Sequence, residues 1–420
     1  MVEDNTSGLR GPSYSRRRYI KYGGVATAVS LAGCVGDSGS GEEFVIGSNH
    51  PLSGSLSYTG ETMTQAIELA AQQKNEEGGI EALDGAEVSV LQGDNEGAQE
   101  MAGQVTQQLI NDGADVVTGC FNSDSTIAAS ATAEQAQVPF VVSVAATDQV
   151  LKGRDMNYVY RLQPTTYHFA RDWARYYPEL IRNAGYEIET YGHYYIDNAY
   201  GAEINEYLEN EFGPENDLEM VESTAITLDQ NDANAQVARL READPDCICL
   251  SGYEQDAAMF FDALENLNWR PTWLSGSAST PLVNPDAIEN IGEPAEGIMD
   301  ANYALNPAND FTDQFRQEYS DFADRSATPE AGLAWAACQV IFDAVERAGT
   351  KDSDALNDAI AETQMDSDET PLALEGIEFE DNGENAHALA AINQVRDGDV
   401  KVVYPEDYQE VEPVVEPNET

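Results

Sequence analysis

Positive charge is what this 420-residue chain has least of: 21 Lys and Arg stand against 76 Asp and Glu, a net charge of −55. Neutralising phosphates needs a basic face, so nucleic acid is excluded as a partner. Long apolar runs are missing too. The mild stretch over residues 22–32 is Gly- and Ala-rich and too short to cross a hydrocarbon core of ~30 Å, which takes about 20 apolar residues. Cysteine is sparse, at five residues, and shows no zinc-type spacing. Cys247 and Cys249 alternate on one expected strand and are too close to bridge, so buried free thiols are expected, with a Cys120 to Cys338 or Cys120 to Cys247 disulfide left open. The four histidines, His50, His168, His193 and His387, are scattered without the spacing of a metal site or a catalytic triad. No G-x-S-x-G elbow, P-loop or H-E-x-x-H occurs, which argues against an exported α/β enzyme, and no cofactor is implied.

What is present begins with an address. Ser15-Arg16-Arg17-Arg18-Tyr19-Ile20-Lys21 ahead of the short apolar stretch reads as a Tat export signal over residues 1–33. Leu31-Ala32-Gly33-Cys34 resembles a lipoprotein cleavage box, which makes Cys34 the mature, lipidated N-terminus. The Gly/Ser-rich residues up to 43 then form a flexible tether, and the expected location is the extracellular face of the membrane. Without its leader the chain keeps 16 basic and 74 acidic residues, a net charge of −58. Such self-repulsion strains a compact fold in dilute buffer. At 1 M salt the Debye length falls to about 3 Å, so the composition points to a halophilic protein that works in brine.

Behind the tether, short β-branched runs alternate with helical patterns. Strands near residues 44–47, 88–91, 116–118 and 140–144 are each followed by a helical segment. A second series runs through strands near 189–196, 219–225 and 247–250. This order predicts an α/β fold of two Rossmann-like lobes with parallel sheets, and the length alone calls for two cores. The acidic end, residues 405–420, reads as a surface tail. Two strand-to-helix turns carry the chemistry: residues 119–126, with Asn122 and Ser123, and residues 143–148, with Ala145 and Thr147. Hydroxyls and free backbone N–H groups gather there at the carboxyl edge of a sheet, where a carboxylate fits.

Several segments fall in one order: Pro51-Leu52-Ser53-Gly54, Asn75-Glu76-Glu77-Gly78-Gly79-Ile80, the Ser123 turn, Ala145-Ala146-Thr147, Asp197-Asn198-Ala199-Tyr200-Gly201 and Gly252-Tyr253. In that order the chain resembles the type I periplasmic binding proteins of branched-chain amino acid and amide ABC importers. The resemblance implies lobes formed by residues 44–163 plus 297–372 and 164–296 plus 373–404. They would be joined by three crossings, near residues 163–166, 275–297 and 371–379, and would close on a small ligand for delivery to a membrane permease. It further implies that Ser123, Ala145 and Thr147 hold an amino acid's carboxylate and ammonium, that Tyr200 and Tyr253 close from the second lobe, and that Tyr58 lies beside a contact position. One position departs from the family. Where amino acid binders place a glutamate on the second lobe, an ungapped reading puts Ser277. Either Glu254 or Asp256 supplies that charge, or the ligand has no ammonium, as in a short amide or urea.

Overall fold

The computed structural model describes residues 43–418, and both lobes fall within one compact unit, Gly41–Thr420. The leader and Cys34 lie outside the described residues.

The first lobe is built from β1 (Phe44–His50), α1 (Ser57–Glu76), β2 (Val88–Asp94), α2 (Gln99–Asn111), β3 (Val116–Gly119), α3 (Ser123–Ala136), β4 (Phe140–Val142) and β5 (Val159–Arg161). Its five strands are all parallel, in the order β2-β1-β3-β4-β5. Helices cover both faces because successive strand residues point oppositely. Val116 packs in the same cluster as Met63, Ala66 and Ile67 of α1, while Val117 joins Ala102 and Leu109 of α2 and Ala129 of α3.

The second lobe takes α4 (Thr166–Asn183), β6 (Thr190–Ile196), α5 (Ala199–Tyr207), the single turn α6 (Gly213–Glu215), β7 (Glu219–Ile226) and α7 (Asn234–Ala243). It continues through β8 (Cys247–Ser251), α8 (Glu254–Leu267), β9 (Trp273–Ser277), α9 (Pro285–Ile291) and β10 (Met299–Asn302). The chain then returns to the first lobe with α10 (Asp310–Ala323), α11 (Pro329–Ala348), α12 (Ser353–Ala361), β11 (Gln364–Asp366) and β12 (Gly376–Glu378). It ends in the second with β13 (Ala391–Arg396) and β14 (Asp399–Tyr404). α11 is apolar on nearly every side and is accordingly buried, against α1. The second sheet runs β14-β13-β10-β9-β8-β6-β7, parallel except for the antiparallel pairs β10–β13 and β13–β14. The α/β architecture in two lobes thus stands, with the antiparallel hairpin β13–β14 added at one edge of the second sheet.

The lobe boundaries need correction. Residues 297–302 were expected in the first lobe, but β10 is hydrogen-bonded to β9 and β13, so the second crossing follows it at residues 303–306. Residues 376–385 were expected in the second lobe. They run instead beside β5, with Arg161 N donating to Gly383 O at 2.8 Å, and the chain crosses for the third time after Asn385, whose Nδ2 donates to Leu162 O. Residues 162–165 lead from β5 to α4. The acidic tail is fastened rather than free over its described part: Val414 N donates to Gln394 Oε1, and Asn418 N to Thr272 O. Cys120, Cys247, Cys249 and Cys338 are buried free thiols. No described helix is long and apolar enough to cross a membrane.

Candidate functional site

Both sheets have the same winding. In the first, strand order reverses between β1 and β3; in the second, between β6 and β8. Ligands of such open sheets bind outside the carboxyl ends of the strands at this switch point. Ser123 follows β3 and Val144 and Ala146 follow β4 in one lobe, while Tyr200 follows β6 and Tyr253 follows β8 in the other. The two edges face each other: the Phe121 and Tyr253 rings approach to 5.2 Å across the cleft, and Tyr200 lies 5.6 Å from Tyr253.

Between them lies a central cavity of about 20 Å³. Its walls are the rings of Phe121, Phe169, Tyr200, Tyr253 and Tyr303 with Val144, Ala146 and Ala278; Ser123, Gln163 and Thr280 add polarity. No charged side chain lines it. The first crossing contributes Gln163 and the second Tyr303, so the cavity touches the joints as well as the lobes.

Of the expected contacts, Ser123, Tyr200 and Tyr253 converge here. Ser123 opens α3 and its Oγ accepts from Thr147 N at 3.2 Å. Tyr200 OH donates to Ala278 O at 2.5 Å, and Tyr253 OH accepts from Asn198 Nδ2 at 3.2 Å. Burial pushes both phenols up, Tyr200 well above its ordinary range.

Other expected residues lie elsewhere. Ala145 packs into the first lobe's core and its carbonyl accepts from Arg161 Nη1 at 2.8 Å; the same nitrogen reaches Thr147 O at 2.6 Å. Ala146, one residue on, forms the wall. The buried Arg161 is paired with Glu384, as a desolvated guanidinium requires. Thr147 is taken by the opposite lobe: its Oγ1 donates to Glu203 Oε2 at 2.7 Å, as do Asp148 N at 2.7 Å and Thr166 Oγ1 at 2.5 Å. Asn122 precedes α3, with its Nδ2 donating to Gly97 O, and does not line the cavity. Ser277 is buried at the end of β9, where its carbonyl accepts from Ser251 Oγ, and Ala278 faces the cavity instead. That alanine holds φ at 59°, the left-handed region, which turns the chain so that its carbonyl meets Tyr200.

Neither candidate replacement for the missing glutamate reaches the centre. Asp256 Oδ1 accepts from Tyr253 N at 2.9 Å and caps α8; burial pushes its carboxyl up to about 8. Glu254 is half-buried, with Oε1 accepting from Thr59 Oγ1 at 3.2 Å. Tyr58 lies at the rim with its OH donating to Asp286 Oδ2 at 2.5 Å. Tyr58 and Glu254 border an outer groove of about 790 Å³ lined mainly by α8 and α9 of the second lobe, with Tyr58 reaching it from the first.

A family profile described as periplasmic binding protein matches residues 43–399. The chain belongs to that family. It is therefore a binding protein rather than an enzyme, and a member of a periplasmic or extracellular family. Leu/Ile/Val-binding protein homolog 7 of Brucella suis is 24% identical over 400 residues, covering 91% of this chain and 96% of its own length. Leu/Ile/Val-binding protein homolog 8 of Brucella abortus is 24% identical over 377 residues, covering 86% and 90%. Among solved structures, a branched-chain amino acid transporter substrate-binding protein of Streptococcus pneumoniae in complex with isoleucine superposes with a TM-score of 0.75 at 20% identity, covering 87% of this chain and all of its own. A solute-binding protein of an ABC transporter from R. palustris in complex with benzoate gives 0.73 at 18% identity, covering 88% and 99%. These binding-protein structures share the two-lobed fold.

Sequence reasoning missed Phe121, Gln163, Phe169, Glu203 and Tyr303. Phe121 sits inside the quoted Ser123 turn and Gln163 inside the expected first crossing, so both had a positional signal. Phe169 and Glu203 are ordinary helix positions. Tyr303 was hidden by the misplaced boundary at residue 297.

Proposed function

We propose that this chain is the solute-binding lipoprotein of an ABC importer. It captures a small polar solute of amino acid size, a branched-chain amino acid or a related compound, between two closing lobes and hands it to a membrane permease. The observation that carries this is the convergence of Ser123 from one lobe with Tyr200 and Tyr253 from the other at the carboxyl edges of both sheets, around a cavity that widens to admit a solute only when the lobes part. Hinge closure follows from crossings that are short next to the lobes they join. A few hydrogen bonds plus apolar burial reach the roughly −8 kcal/mol of a micromolar complex. The names of the Brucella relatives support the choice of solute class.

Export through the Tat route suits a chain that folds before crossing, and a lipid on Cys34 keeps the carrier beside its permease. The acidic surface suits multimolar salt, where screening removes the repulsion. Calorimetry and thermal shift in multimolar KCl with a panel of amino acids, amides and urea test this reading, since a true ligand raises the melting temperature by mass action. Ser123→Ala is expected to weaken binding by about tenfold or more, the loss of one strong hydrogen bond. A protein that binds nothing in the panel overturns the proposal, and unchanged binding by Ser123→Ala overturns the site.

A further inference from the structure

The second crossing carries a cavity of its own. It holds about 300 Å³, and its walls come from three sources: Ala304 and Leu305 on the crossing, α10 and the turn after it in the first lobe, and Val283, β13 and β14 in the second. Small-molecule sites run from roughly 300 to 1,000 Å³, so one small solute fits. No residue of this cavity lines the central one. One atom of its wall is left without a partner. Asn393, on β13, is 1% exposed; its Nδ2 donates to Tyr303 O at 3.3 Å, but Oδ1 accepts from nothing. A buried acceptor left open costs about 1–3 kcal/mol, so the site calls for a donor.

Charge decides what the guest's two ends are. On the first lobe stands Arg316, whose only ion pair is a long one, Nη1 to the exposed Asp313 Oδ1 at 3.6 Å, with Ser320 and Ser326 beside it in the wall. On the second lobe Asp399 and Glu410 share the single ammonium of Lys401, at 3.0 and 2.7 Å, so that end keeps one negative charge in excess. Val283, Leu305, Pro329 and Val402 are the apolar surface between. An anion alone would face the acids unpaired, and a cation alone would face Arg316. We propose that this cavity is a second binding site, for a small zwitterion with a short apolar body: its carboxylate lies on Arg316 and the two serines, and its ammonium donates to Asn393 Oδ1 on the side of Asp399 and Glu410. Because the walls belong to both lobes and to the crossing that joins them, a guest that fits the shut arrangement favours it. The site therefore strengthens solute capture at the centre, and capture strengthens it in return. That coupling rests on the function proposed above; the site itself does not.

The test uses 5-aminovalerate, valerate and pentylamine, which share one straight chain and carry both charges, the anion alone or the cation alone, titrated by calorimetry into the folded chain in multimolar KCl. The wild type is expected to bind 5-aminovalerate about tenfold tighter than either of the others, the margin of one charged hydrogen bond. Arg316→Gln loses about tenfold or more for 5-aminovalerate. Asn393→Leu loses a similar factor, and where that variant does not fold Arg316→Gln decides alone. Ser123→Ala, a change at the centre, leaves the affinity for 5-aminovalerate as it was. Saturating 5-aminovalerate raises the affinity of whichever panel solute binds by about fivefold or more, and Arg316→Gln abolishes that gain without changing the solute's own affinity. Equal binding of the three probes, or none, overturns the inference, as does normal binding of 5-aminovalerate by Arg316→Gln. Competition between 5-aminovalerate and the panel solute, or no gain, overturns the coupling. A wild type that binds 5-aminovalerate through Arg316 but no panel solute overturns the solute-capture reading instead and supports the site.

Discussion

The centre of the cleft and its rim are made of different chemistry. At the centre five aromatic rings from both sides meet small residues and three uncharged polar groups. Around them the lobes are fastened by carboxylates: Glu203 takes Thr147 and Asp148, Asp286 takes Tyr58, Glu254 takes Thr59, and Asp148 takes Tyr207 OH at 2.6 Å. In a chain with 76 acids, carboxylates are the abundant fastener, and hydroxyls and backbone N–H groups from the facing lobe receive them. On the function proposed above, the separation assigns what is bound and how firmly the lobes shut to different residues. Changes at the centre should alter ligand choice and affinity; changes at the rim should alter closure and leave choice alone.

The largest effect is expected at the centre. Tyr253 touches Phe121 across the cleft and Tyr200 beside it and is 4% exposed. Tyr253→Ala removes a fully enclosed ring, which costs about 3 kcal/mol or more of stability. It should also weaken ligand binding about a hundredfold, as loss of comparable contact energy implies. Denaturant melts in KCl together with calorimetry check both. Lost stability with normal affinity would reduce the ring to packing and dissolve the distinction.

A second test concerns the acids behind the centre. Burial pushes Asp300 up to about 7, Glu330 to about 7 and Asp256 to about 8. An unfolded aspartate or glutamate releases its proton near pH 4, so between pH 4 and about 7 the folded chain holds more protons than the unfolded one. Stability is therefore highest below pH 4 on account of these groups and falls as pH rises through that window, by up to ~1.4 kcal/mol per pH unit for each acid. Asp300→Asn, which keeps an acceptor for Ser279 N, should remove about a third of the slope contributed by the three and leave the variant more stable than the parent at pH 8. Unfolding free energies at pH 5, 6, 7 and 8 in constant KCl measure it. An unchanged slope would mean that Asp300 titrates alike in both states.

How much of this was legible follows from where each residue sits. Strand and helix alternation is a local pattern, so the two lobes could be read directly. Ser123, Tyr200 and Tyr253 stand at strand-to-helix turns, positions that a parallel sheet brings to its carboxyl edge whatever the tertiary details. Ser277 was misjudged because successive residues at a strand end face opposite ways, and a one-residue slip exchanges a cavity wall for a core contact. Placing the boundary at residue 297 failed because β10 joins its sheet by pairing with β9 and β13, a partnership with no local mark. Glu203 was invisible for the same reason. It is one acid among many on a helix, and only the folded chain brings it to Thr147.

That glutamate supplies the smallest and most selective test of the comparison. Glu203 Oε2 accepts from Thr147 Oγ1 and Asp148 N in one lobe and from Thr166 Oγ1 in its own. Charged acceptors make hydrogen bonds roughly twice as strong as neutral ones. Glu203→Gln keeps the shape and one acceptor oxygen but drops the charge, so it should shift the unliganded protein toward open lobes. Small-angle scattering reads this as a larger radius of gyration. Affinity for every solute should fall together by about tenfold, because each must then cover the lost closure energy. The order in which solutes are preferred should not change, since no atom of Glu203 lines the central cavity. A reordered preference would place the rim inside the recognition site, and unchanged size and affinity would show that closure is held by the aromatic centre alone.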